Sequence, residues 1–167
     1  MRILRAVGMA LVTIAALVVV VAVVARFSDG PRGPFPGGAL RAGELVTTRE
    51  VDWTFASPIR EMELQLLEPA RSRTTWLIVH DGELYIPCGF VQLRFFKQWP
   101  HEAQRDGRSF VRVDGKRYER QAVRVVDPAL HAALSAAAIE KYGFASPGTE
   151  PDPDSTWFFR MEPRPPS

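Results

Sequence analysis

The sequence predicts a mainly β domain of the α+β class, a small antiparallel barrel with two short helices, preceded by one membrane-spanning helix. Three observations predict it. Apolar residues recur with period two from Arg49 onward, two Asp-Gly dipeptides each separate β-rich runs, and the N-terminus carries one long stretch without charge.

That stretch is Ala6 to Ala25, a run of 20 residues without a charged side chain. As a helix it is about 30 Å long, enough to cross the hydrocarbon core of a bilayer. A cleaved signal peptide ending near Val23-Val24-Ala25 is the rival reading; signal cores are shorter, about 7 to 15 residues, which favours the uncleaved anchor. Arg2 and Arg5 precede the run, while Arg26 and Arg32 follow it with Asp29 between them. The shallow positive-inside bias predicts a single-pass protein of a bacterial-type cytoplasmic membrane, its N-terminus in the cytoplasm and its C-terminal domain outside. Residues 28–43 hold three prolines and five glycines in 16 positions, the composition of a tether between an anchor at 1–27 and a domain at 44–167.

Within the domain, Glu50 to Phe55 reads as a strand broken by Ser57-Pro58. Met62, Leu64 and Leu66 then alternate against Glu61, Glu63 and Gln65 as a half-buried strand does. Thr74 to Val79 and Leu84 to Pro87 flank Asp81-Gly82, and Ser109 to Val113 and Lys116 to Val126 flank Asp114-Gly115. Both dipeptides suit the type I′ turn of a two-residue hairpin, because both central residues need a positive φ. Val91 to Arg105 carries apolar residues at 91, 93, 95, 96 and 99 and predicts a short helix that Pro100 bends or interrupts. The second helix starts at Asp127 as N-cap and Pro128 in the first turn, runs through "ALHAALSAAAIEKY" and stops at Gly143. Pro147 to Pro153 reads as an acidic, proline-rich loop and "TWFFRME" as a closing strand, for six or seven strands in all.

Charge narrows the function. The chain has 21 Lys/Arg against 19 Asp/Glu, but from Gly33 onward the count is 17 against 18, so the basicity belongs to the anchor and its flanks. A general nucleic-acid role has no electrostatic support. Arg94 to Arg124 nevertheless holds nine basic and four acidic residues, while Arg41 to Glu68 holds three basic and six acidic, the polarity that an anion site needs and that a solvated face also produces. Cys88 is alone, so no intrachain disulfide forms, and it reads as a small buried residue at a strand end. His80, His101 and His131 lack metal-ligand spacing, and no metal is predicted; Ser135 lacks the glycines of a nucleophile elbow. Arg112, Arg120 and Arg124 read as an outward polar face of the sheet, or else as the lining of a groove.

The succession "TTWLIVHDGELYIPCGF", "FFKQWPHEAQRDGRSFVRVDGKRYERQAVRVVDP" and "HAALSAAAIEKYGF" resembles the split β-barrel superfamily related to pyridoxamine-phosphate oxidase, nearest to its deazaflavin-dependent nitroreductase branch. The matching residues are Asp81, Gly82 and Tyr85, Trp99, Val111 and Val113, Gly115, Tyr118 and Glu119, and Tyr142. Where that branch has Trp-x-x-Asn-Leu this chain has Trp99-Pro100-His101-Glu102-Ala103, and Lys97 stands two residues before the tryptophan instead of four. The branch's phosphate-holding loop is absent unless "ARSR", Ala70 to Arg73, substitutes for it. The resemblance implies a split barrel that holds FMN or a deazaflavin, with Lys97 and Trp99 beside the cofactor; Arg94, Arg71 and Arg73 are candidates for supplementary charge on their residue type alone. It also implies pairing of two copies around the cofactor. Two functions follow: an oxidoreductase whose hydride chemistry resides in the cofactor, or a non-catalytic barrel serving as a binding or accessory module for a membrane-protein or lipid-derived partner.

Overall fold

The protein is described by a computed structural model, which covers residues 2–95, 97–143 and 155–165. It is mainly β with three helices, in the order α1 (Arg2–Phe27), β1 (Glu44–Val46), one turn of 3-10 helix (Trp53–Ala56), β2 (Glu61–Leu67), β3 (Ala70–Trp76), β4 (Ile78–His80), β5 (Glu83–Gly89), α2 (Trp99–Arg105), β6 (Arg108–Val113), β7 (Lys116–Arg124), α3 (Pro128–Tyr142) and β8 (Thr156–Pro163). The strands form one sheet in the order β3-β2-β6-β7-β8-β5-β4, antiparallel throughout, with β1 added parallel to β7 over Glu44↔Lys116 to Val46↔Tyr118. β3 and β5 approach each other across the open side of this sheet, and α2 packs on β7 and β2. The result is the expected α+β barrel, split where β3 and β5 meet without pairing.

Local chemistry explains most of the boundaries. Asp81 and Gly82 take φ of 51° and 75°, and Asp114 and Gly115 take 49° and 73°, so both hairpins turn through the positive-φ pair that their dipeptides predict. In α3, the Asp127 carboxylate accepts from the Leu130 amide, Pro128 lies in the first turn, and Gly143 closes the helix in the left-handed conformation with φ 72°. α2 begins at Trp99, so Pro100 falls within its first turn and starts the helix that it was expected to bend; the described residues from Val91 to Lys97 are in no helix or strand, and Phe96 lies outside the described residues.

Other expectations are corrected. Glu50 to Phe55 is not a strand: the Asp52 carboxylate accepts from the Thr54 amide and hydroxyl and starts a 3-10 turn that buries Trp53 and Ala56. The run 74–79 divides at Leu77, fully buried, with β3 on one side paired to β2 and β4 on the other paired to β5. "ARSR" is the start of β3, in register with Leu67 to Leu64, and not a loop. Eight strands replace six or seven among the described residues, the additions being β1 and the division of the 74–79 run. The acidic loop expected at Pro147 to Pro153 lies outside the described residues.

The core lies between the curled sheet and α2, with Leu64, Leu66, Leu77, Ile86, Val111, Val113 and Phe159 fully or almost fully buried. A smaller cluster of Ile78, Tyr85, Leu134 and Phe158 seats α3 on the outer face of β4 and β5. Each fully buried Leu, Ile or Phe contributes about 1.5–3 kcal/mol relative to exposure.

Residues 28–43, despite their composition, are fastened to the sheet. The Ser28 amide and hydroxyl bond to the Ala25 carbonyl, the Gly38 amide donates to the Ser28 carbonyl (3.1 Å), and Gly37 exchanges two backbone hydrogen bonds with Ser72 of β3. The Ser72 hydroxyl donates to the Gly38 carbonyl (2.6 Å) and the Gln65 side-chain oxygen accepts from the Leu40 amide (2.7 Å). A Cβ on Gly37 would collide with the Gly30 backbone, so the two stretches of this segment can cross only because Gly37 carries no side chain. Arg112 completes the attachment by pairing with Glu63 of β2 and with Asp29 (2.9 Å).

Candidate functional site

At the seam between β3 and β5 lies a cleft of about 470 Å³. Its walls are Glu61, Thr74, Thr75 and Trp76 from β2 and β3, Pro87 and Gly89 from β5, Lys97 and Trp99 at the start of α2, and Gly33 and Pro34 from the segment after α1. The volume lies within the roughly 300–1,000 Å³ typical of small-molecule sites. Lys97 and Trp99, both nominated from the sequence, therefore do meet in one cleft. Trp99 is almost fully buried, its ring packed 5.5 Å from Phe159 and under the Arg73 guanidinium at 5.7 Å, so it forms the floor. Trp76 is 42% exposed and lies at the rim, with Tyr142 stacked on it at 5.3 Å. Tyr142 in turn donates from its hydroxyl to the Leu77 carbonyl (2.6 Å), which ties the end of α3 to the end of β3.

Arg73 does not line the cleft. It points to the inner face beside Leu64, behind Trp99, and makes a long ion pair of 4.0 Å with Glu102 of α2. Burial pushes its guanidinium down to about 10, the Glu102 carboxylate opposing and the neighbouring Arg71 reinforcing that shift. The Nε atoms of both Arg71 and Arg73 are buried without a hydrogen-bond partner, which is uncommon for so strong a donor. Arg94 is placed elsewhere: with Gln98, His101, Glu102 and Arg105 it borders a shallow depression on the outer side of α2. Cys88, on β5, is 2% exposed, and burial pushes its thiol up to about 11 against the nearby Lys97 and Arg73 cations. A neutral, enclosed thiol is not a nucleophile at neutral pH.

The three arginines expected on an outward face divide. Arg112 lies outward, in the Glu63 and Asp29 pairs. Arg120 faces inward with Tyr118 and Ala122 and is 2% exposed, its guanidinium 5.3 Å from the Trp53 ring and donating to the Arg49 carbonyl (3.0 Å). Arg124 lies 3.8 Å over the Trp157 ring, at the edge of a second cavity of about 480 Å³ beneath α3 that His131 and Ser135 also line. The His131 ring bonds to the Thr156 carbonyl (3.0 Å) and packs against Phe158, which accounts for it structurally. Among the described residues, no three His, Cys, Asp or Glu side chains converge as a metal site.

Sequence reasoning missed Trp76, Thr74 and Glu61. Their signal was present in the register: Glu61↔Trp76 and Glu63↔Thr74 are cross-strand partners once "ARSRTTW" is taken as one strand. It was hidden because the run was divided at Thr74 instead of at Leu77.

No protein-family model matches the chain, and no curated protein matches it. A crystal structure from Listeria innocua called "Putative Pyridoxamine 5'-phosphate oxidase" is similar to it, at 16% sequence identity over 64% of this chain and 85% of that one, with a TM-score of 0.46.

Proposed function

We propose that the protein is a single-pass membrane-anchored oxidoreductase whose cleft takes a planar anionic cofactor of the flavin or deazaflavin class. The observation that carries this reading is the meeting of Lys97, Trp76 and the Trp99 floor in one cleft of about 470 Å³. The residues present suit such a group in three respects. The space is sufficient, an indole at the rim suits an aromatic ring system, and the cation in the wall suits a phosphate or carboxylate. Behind the floor, the Arg73 guanidinium adds positive potential that Glu102 partly opposes.

When bound, the cofactor supplies the hydride or electron transfer. The chain's own contribution is to hold it. Lys97 neutralises its charge, Trp76 and Thr74 border its ring edge, and the buried Trp99 excludes water from beneath it. Cys88 stays a neutral core residue and does not line the cleft. α1 is long and apolar enough to cross a membrane over Arg5–Phe27, and in this reading residues 6–25 anchor the domain outside the cytoplasm.

The test is titration of the full chain in detergent with FMN and with a deazaflavin, read by fluorescence quenching. Saturable binding to one of them is expected, and Lys97→Ala weakens it by about 1–3 kcal/mol, the value of a charged hydrogen bond. No saturable quenching by either cofactor removes the oxidoreductase reading. A reporter active only in the cytoplasm, fused after Ser167, stays dark if the orientation holds.

A second reading is a non-catalytic barrel acting as a binding or accessory module at the membrane. The Arg73–Glu102 pair favours it, because Glu102 occupies the position of the asparagine in the resembled motif and partly neutralises the cation behind the floor. A folded chain that binds neither cofactor, before and after Glu102→Asn, selects this reading.

A further inference from the structure

Between β5 and α2 the chain exposes three large apolar side chains on one short irregular loop: Phe90 is 70% exposed, Leu93 53% and Phe95 84%. The sequence from Phe90 to Gln98 contains no acidic residue and two cations, Arg94 and Lys97. The loop is nevertheless well tied. The Val91 amide donates to the Ser155 carbonyl (3.2 Å), the Leu93 amide to Phe90 (3.1 Å), and the Lys97 amide to Leu93 (2.8 Å), while the His101 ring bonds to the Val91 carbonyl (2.9 Å).

Phe90 takes a φ of 59°. Left-handed backbone is costly for a bulky residue, roughly 1–2 kcal/mol, and is usually retained where packing or function requires it. Here the ring gains no burial in return. The conformation holds an aromatic side chain out of the protein.

The loop also has a fixed relation to α1. Gly33 and Pro34 share the cleft with Lys97, six or seven residues after the helix ends at Phe27. At about 3.5 Å per residue, that chain spans at most about 21 to 25 Å. It is moreover held to β3 through the Ser28, Gly38 and Ser72 hydrogen bonds. The part of the cleft wall shared by Gly33, Pro34 and Lys97 is therefore within about 25 Å of the end of α1.

We propose that the loop after β5 forms a second membrane contact, in which Phe90, Leu93 and Phe95 enter the interfacial region of the leaflet from which α1 emerges, with Arg94 at the lipid phosphates. Aromatic rings with flanking cations suit that interface, and cations gain further from anionic headgroups. A second copy is the poorer occupant. A stable dimer buries about 800 Å² per partner, more than three side chains provide, and a two-fold contact here brings Arg94 and Lys97 of one copy toward the same cations of the other. The contact fixes the domain's tilt and sets the Lys97 wall of the cleft at headgroup depth. The inference rests on the reading of α1 as a membrane anchor.

Nitroxide labels on Val18→Cys, Leu93→Cys and Phe95→Cys in the full chain separate the two claims. The chain is reconstituted in vesicles of phosphatidylethanolamine and phosphatidylglycerol, with the unmutated protein, which retains buried Cys88, as the labelling blank. Collision with dissolved oxygen is compared with collision with a water-soluble nickel chelate. The expected result is that oxygen dominates at Val18 and at the loop position, whichever of the two loop variants is used. Should one loop variant fail to fold, the other gives the same reading. Oxygen dominance at Val18 with chelate dominance at both loop positions overturns the proposal and leaves the anchor standing. Chelate dominance at all three overturns both. Spin broadening at Leu93 that disappears on dilution with unlabelled chain assigns the surface to a second copy and also overturns it.

Discussion

Residues 28–43 and residues 90–97 are both irregular, both contribute to the cleft wall, and treat their side chains in opposite ways. The first is rich in glycine and proline and is bonded through backbone and side-chain groups to Ser72, Gln65, Arg112 and Arg117. The second has no such composition and directs Phe90, Leu93 and Phe95 into solvent. Composition alone would assign mobility to the first and burial to the second. What decides is the availability of partners, since the edge strand β3 offers Ser72 to the first segment.

Changes in the first segment's partners are expected to have the largest effects. Arg112→Leu leaves the Glu63 and Asp29 carboxylates facing each other without their cation, and is expected to cost about 2–3 kcal/mol, the value of hydrogen bonds to charged groups. Denaturant unfolding measures the loss, and amide exchange should locate it at residues 28–43. A loss spread evenly over the barrel would show that the segment is not a separate attachment. Gln65→Leu deprives the Leu40 amide of its acceptor in a buried setting and should cost about 1–2 kcal/mol. Unchanged stability would mean that water replaces the glutamine.

In the second segment the sign reverses. Phe90→Gly relieves the left-handed backbone and is expected to stabilise the fold by about 1 kcal/mol, while weakening oxygen exposure of the Leu93 label in vesicles. Destabilisation by the same change would place the ring in a packing role. The smallest effect concerns acid. Asp29 is held below the usual carboxylate range: its slight burial opposes this, but the Arg41 and Ala42 amides and the Arg112 guanidinium outweigh it. A depressed carboxylate contributes stability that is present above its unfolded value, near 3.8, and lost as pH falls through the lower folded value. Amide exchange in residues 28–43 should accordingly accelerate only below about pH 4, ahead of global unfolding.

Several elements were legible from sequence because their signals are local. The Asp-Gly turns and the Asp127, Pro128 and Gly143 boundaries of α3 depend on groups within four residues of each other. β8 was legible as a β-rich run, and Lys97 and Trp99 through a resemblance of order and spacing. Their meeting in a cleft adds Trp76, Thr74 and Glu61, which required the β2–β3 register. Trp53–Ala56 misled because Val, Trp and Phe favour strands, yet one Asp52 side-chain hydrogen bond offers the backbone a closer partner. Arg120 misled because a charged residue in an alternating strand reads as outward; the inward solution depends on the Trp53 and Tyr118 rings and the Arg49 carbonyl.

The sequence by itself determined the long apolar N-terminal helix, the two hairpins, the caps of α3 and the near-neutral charge of everything after the anchor, since each follows from composition or from backbone preferences over a few residues. Tertiary structure decided that β3 and β5 meet without pairing and so open a cleft, that Arg73 serves Glu102 and Trp99 instead of the cleft, and that a glycine-proline segment is fastened while an apolar loop is left exposed. Those outcomes depend on which groups meet in the folded chain, and no local propensity encodes the partner that a side chain finds only when the sheet has closed.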